Sequence, residues 1–123
     1  MHDPNQPPVF DPGPFEELKE VGGPELIQEL AELFLTDTPG LIDELEEAAA
    51  AEDWDALGRC AHTLKSSAFY LGALALSDLA RRIELATEAG EHAEGLALAG
   101  QPRTAFAEAD AALRSACAEL PPA

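Results

Sequence analysis

Basic residues are what this 123-residue chain has least of. Seven Lys and Arg stand against 24 Asp and Glu, a formal net charge of −17. Nucleic acid and anionic bilayers are held by basic stripes, so this charge balance excludes both as partners. Cysteine is scarce too. Cys60 and Cys117 are far apart and form no Cys-x-x-Cys spacing, which argues against a zinc finger or thiol redox chemistry. They read as small, half-buried apolar residues in a reducing compartment. With one Trp, one Tyr and few β-branched residues, there is little from which to build a sheet. No apolar run approaches the roughly 20 residues of a membrane span. The opening MHDPNQPPVFDPGPF lacks the basic and apolar regions of a secretory leader. The expected compartment is the cytoplasm.

Ala, Leu and Glu dominate, and 46% of the residues are hydrophobic, enough for one modest helical core. Residues 1–13, with four prolines and no periodicity, read as an extended, poorly ordered lead-in. The domain proper is expected over 14–120, with 121–123 as a tail. A short helix over 15–21 should stop at Gly22 and Gly23. Pro24 then opens a helix to about residue 36. Thr38 suits the N-cap of a third helix, with Pro39 in its first position and Leu41, Ile42, Leu45 and Ala48 as its stripe. Asp53 caps the next helix, which runs to about Leu71 and is broken by Gly72. Further helices are expected over 74–89 and 102–120. The segment 91–101 is weak, because of Gly95, Gly100 and the following Pro102. Short connections between such helices argue for an all-α fold: an up-down-up-down antiparallel four-helix bundle with one or two N-terminal helices capping it.

The chemistry concentrates in residues 54–73, WDALGRCAHTLKSSAFYLGA. On a helix, Leu57, Ala61, Leu64, Ala68 and Leu71 fall on one apolar stripe. His62 falls roughly 140° from the centre of that stripe. Lys65, Ser66 and Phe69 share its outward sector, as does Gly58 one turn earlier, with Tyr70 at the edge. A solvated face ordinarily shows Glu and Lys; here an imidazole, a cation, a hydroxyl and an aromatic ring surround a small residue. An imidazole titrates near about pH 6.5, so at neutral pH it is a solvated nucleophile. A phosphoryl acceptor needs access, a nearby cation and no bulk across the line of approach. Lys65 is placed to supply the cation, while Phe69 and Tyr70 are candidates either for a docking surface or for packing between helices. His2 and His92 have no such company.

The run His62, Leu64, Lys65, Ser67, Ala68, Gly72 and Ala73 resembles the signature of histidine-containing phosphotransfer (HPt) domains, roughly H-x-L-K-G-S/A-S/A-x-x-x-G-A. The similarity extends in pattern from Phe15 to about Leu120. It departs at one position: the family usually has Gly four residues after the His, where this chain has Ser66. The resemblance implies the same bundle, with His62 as phospho-acceptor and Lys65 as charge partner of the phosphoryl group. Ser66 would lie near the imidazole, and Gly58, Phe69 and Tyr70 in the partner-binding surface. It implies attack by Nε2 while another group holds Nδ1. Partners would be response-regulator receiver domains, with a hybrid sensor kinase as a further candidate. The receiver would supply Mg²⁺, so no cofactor and no metal is expected on this chain, which should be a cytoplasmic monomer.

Other chemistries fail on specific residues. A di-iron bundle needs Glu-x-x-His, but Arg59 stands three residues before His62. There is no His-Glu-x-x-His, and no Gly-rich loop to bind ATP for autonomous kinase activity. The dimerisation helix of sensor kinases has an acid after its His, where this chain has Thr63. The alternatives left open are a helical adaptor that docks receiver or kinase domains without phosphorylation, and an unrelated acidic bundle.

Overall fold

The structure is a computed structural model that describes residues 6–121. Its elements are α1 (Pro12–Ala50), α2 (Trp54–Tyr70), α3 (Leu74–Glu88), α4 (His92–Ala99) and α5 (Pro102–Ala118). Among the described residues there is no strand. The fold is all-helical. α2 packs on α1 and most extensively on α3; α5 also packs on α1 and α3, and α4 lies against α3 and α1.

α1 differs from the three helices expected over its span. It bends at Gly23, whose φ of 78° and ψ of −179° are not helical, and Pro24 restarts the helix there as anticipated. No break follows at residues 36–38. Thr38 is buried at 2% inside the helix rather than capping a new one, and Pro39 sits in the interior. The reason is the stripe of Ile27, Ala31, Phe34, Thr38, Ile42 and Leu45, which keeps helical phase across the proline. An interior Pro costs about 3 kcal/mol. Ile27, Ile42 and Leu45 are each wholly buried, and each such burial stabilises by about 1.5–3 kcal/mol. A break would put half of them out of register, so burial overrides the proline.

The segment before α1 is more tightly placed than a loose lead-in would be. Val9 and Phe10 pack against the core, and the Phe10 ring meets Phe15 edge-on at 5.9 Å. The Asp11 amide donates to the Gly72 carbonyl at 2.7 Å, and the Ala75 amide to the Pro8 carbonyl at 2.9 Å. Helix begins at Pro12, with the Asp11 carboxylate accepting from the Gly13 amide. Residues 1–5 of the expected lead-in, including His2, and 122–123 of the expected tail lie outside the described residues.

From α2 onward the elements follow the sequence expectation closely. Asp53 caps α2 by accepting from the Ala56 amide at 3.1 Å. Leu57, Ala61, Leu64 and Ala68 are all wholly buried, and Leu71 nearly so. The weak segment is a helix after all. α4 turns Gly95, Leu98 and Ala99 into the core at i, i+3, i+4 spacing, which tertiary burial rewards despite the glycine. Its first residue, His92, stacks on Trp54 with ring centroids 3.9 Å apart. Cys60 and Cys117 are free and half-buried, and burial raises both thiols above their ordinary range, with nearby Glu44 adding to this for Cys60 and Glu32 for Cys117.

Candidate functional site

With its apolar stripe fixed on the core, α2 has no choice about where it presents residue 62. The His62 side chain is 62% exposed, at the seam where α2 meets α3. Two features hold that seam closed. Ser77 of α3, itself buried, donates from its hydroxyl to the Lys65 carbonyl at 2.9 Å. Opposite Gly58 stands Thr87: a Cβ at residue 58 would come within 2.9 Å of the Thr87 hydroxyl oxygen. Gly58 therefore lets the helices approach one turn before His62.

Glu84 of α3 occupies the seam between the two expected site residues. Its Oε2 lies 2.6 Å from His62 Nδ1, and its Oε1 accepts from Lys65 Nζ at 2.5 Å. The Glu84 side chain is only 15% exposed. Burial by itself would raise its pKa, but the hydrogen bonds and charges of Lys65 and His62 outweigh that and hold it below the ordinary carboxylate value. An ionised carboxylate only accepts hydrogen bonds. Nδ1 must then carry the ring proton, and a neutral imidazole in this tautomer keeps its lone pair on Nε2. The arrangement is an exposed nucleophilic nitrogen whose ring is oriented from behind.

The other expected residues divide between two hollows. His62 borders one with Gly58, Arg59, Thr63, Glu84 and Thr87. Lys65, Ser66, Phe69 and Tyr70 line a second with Ser77 and Arg81. Glu84 links the two through His62 and Lys65. Ser66 is half-buried one turn after His62 and lines the hollow of Lys65, not that of the imidazole. Phe69 and Tyr70 are 55% and 66% exposed and meet edge to face at 6.3 Å, so neither packs between helices. An apolar groove continues from Tyr70, Thr63 and Ser67 across to Leu33, Phe34 and Leu41 of α1.

This geometry can be set against known proteins. The model of the Hpt domain family matches residues 29–120. The chain belongs to that family. Hpt domains carry phosphoryl groups on histidine in two-component signalling, and that is the function of this protein. A similar solved structure is the crystal structure of histidine-containing phosphotransfer protein B (HptB) from Pseudomonas aeruginosa PAO1. It is 25% identical, with a TM-score of 0.84 covering 93% of this chain and 98% of that one. No curated protein matches the sequence significantly.

In this Hpt domain, the residue that sequence reasoning missed is Glu84. On α3, Ser77, Arg81 and Glu84 form a polar row at +4 and +3 spacing beside the buried row of Leu76, Ala80 and Ile83. Such a row ordinarily faces water. Only the partner helix reveals that two of its members, Ser77 and Glu84, turn toward α2, and 22 residues separate Glu84 from His62.

Proposed function

We propose that His62 accepts a phosphoryl group from a receiver-domain aspartyl phosphate and passes it to the aspartate of another receiver. The observation that carries this is the pairing of an exposed imidazole with a carboxylate on Nδ1. In the step, the Nε2 lone pair forms the N–P bond while the bond from phosphorus to the aspartyl oxygen breaks, its electron pair returning to the receiver carboxylate. Nδ1 keeps its proton, and the ring becomes cationic. Glu84, already ionised, stabilises that charge without reorganising. Onward transfer reverses the step and restores the neutral ring. No proton needs to enter or leave.

The scaffold we infer is the up-down-up-down antiparallel bundle of residues 24–50, α2, α3 and α5. Its support is that each of these helices packs on two of the others in a ring, with three-residue connections from α1 to α2 and from α2 to α3 and with α4 bridging α3 to α5. Residues 12–22 cap one end in this reading. Phe69 and Tyr70, exposed beside the site, are the apolar contacts we assign to the docked receiver, with a hybrid sensor kinase as a further partner. Mg²⁺, as the electrophile that activates phosphorus, belongs on the receiver in this scheme. No helix among the described residues is long and apolar enough to cross a membrane, and we assign the protein to the cytoplasm as a monomer.

The test is transfer from a phosphorylated receiver to the parent chain and to His62→Gln. Acid-labile, base-stable phosphate should appear on the parent alone. Receiver binding with no phosphate on His62 would instead make the protein a docking adaptor.

A further inference from the structure

Lys65, the expected charge partner, is already engaged. Its ammonium sits 2.5 Å from Glu84 Oε1, and Glu84 is too buried to lose that partner cheaply. Arg59, by contrast, is exposed and makes no side-chain hydrogen bond or ion pair among the described residues. It stands one turn before His62. Helical side chains lean toward the N-terminus, so the imidazole overlies the turn that contains Gly58 and Arg59. The hollow agrees: Arg59 and Gly58 border it together with His62, whereas Lys65 does not. With Nδ1 turned to Glu84, Nε2 is directed away from the carboxylate. A phosphoryl group there would be a dianion in a hollow also bordered by Asp55, Glu84 and Glu88. It needs a cation, and a guanidinium offers forked donors matched to phosphoryl oxygens.

We propose that Arg59 binds the phosphoryl oxygens on His62, and that Lys65 acts through Glu84 as a positioning residue. This rests on His62 being the acceptor. The bonds made and broken are those already described; Arg59 adds hydrogen bonds to the oxygens and exchanges no proton.

The experiment is single-turnover transfer from a phosphorylated receiver, with ³¹P NMR of the phosphorylated chain. Arg59→Gln should lower the maximal rate by about tenfold or more while leaving the half-saturating receiver concentration within about twofold. It should also move the phosphohistidine ³¹P signal, and Arg59→Lys should recover part of the rate. Arg82→Gln, which removes the same charge from an exposed α3 site bordering neither hollow, should change neither. Lys65→Met should alter the ¹⁵N signature of the His62 tautomer and leave the ³¹P signal in place. A parental maximal rate and ³¹P signal in Arg59→Gln would overturn the proposal, as would a change confined to half-saturation, which would make Arg59 a docking residue. A parent chain that takes no phosphate on His62 would overturn the acceptor assignment itself, and this one with it.

Discussion

Glu84 serves two donors with its two oxygens, Lys65 on one and His62 on the other, and each donor makes the other's geometry possible. Remove the carboxylate charge and the ring loses its reason to keep the proton on Nδ1. Glu84→Gln should therefore slow transfer by about tenfold to a hundredfold, while the exposed ring stays available to solvent. Glu84→Ala should be slower still and should free Lys65. The pair also has a pH signature. Because the folded-state pKa of Glu84 lies below its ordinary value of 4.5, the stability it contributes is fully present above about that pH. It is lost as pH falls through the depressed folded value. Chemical denaturation of parent and Glu84→Gln should thus give a stability gap at pH 7 that narrows below pH 4.5. A gap that widens on acidification would mean that Glu84 is held neutral. His62→Gln, by comparison, removes a largely exposed ring and should change stability by no more than about 0.5 kcal/mol. A loss of several kcal/mol would place the ring in the core.

At the scale of elements, the end of α2 is held by more than a helix stop. Gly72 has φ of 81°, and a Cβ there would lie 2.1 Å from the Asp11 carbonyl oxygen, a backbone atom that cannot swing aside. Gly72→Ala meets both a disfavoured conformation and a collision, so it should destabilise by about 1–3 kcal/mol. Urea midpoints would check this, and an unchanged midpoint would mean that the segment from Pro8 to Asp11 does not hold α2. In the sequence, Gly72 reads only as a terminator, because the chain that docks on it lies some 60 residues earlier. The same contrast separates what was legible from what was not. The α2 stripe is local and periodic, so Leu57, Ala61, Leu64 and Ala68 could be placed and His62 put in solvent. Thr38 and Pro39 carry strong local start signals, yet the buried row on either side of them overrides those signals. The Glu84 contact and the division of Lys65 from the His62 hollow depend on how α3 lies against α2. No spacing within one helix encodes that.

For the molecule as a whole, the net charge of −17 sets a competition that salt can resolve. Among the described residues, favourable contacts outside the Glu84 cluster are few: Arg103 joins Asp43 and Glu46 between α5 and α1, while Lys19 with Glu16, Arg81 with Asp78 and Arg114 with Asp110 pair within helices. The shared hydrogen bond holds the Arg103 guanidinium above its ordinary pKa and Glu46 below its own, but this clasp is exposed to solvent. Salt screens such surface pairs and weakens them. Salt also screens repulsion among an excess of carboxylates spread over every helix, which destabilises the compact state. The excess of like charge far outnumbers the pairs, so screening of repulsion should win. Thermal unfolding followed by circular dichroism should show a midpoint that rises from about 10 mM to about 300 mM NaCl, a range over which the Debye length falls from about 30 Å to below 8 Å. Chloride is the appropriate anion, since sulfate would also strengthen apolar burial. A midpoint that falls with NaCl would show that the Arg103 clasp and its like dominate. In that case Arg103→Gln should abolish the fall.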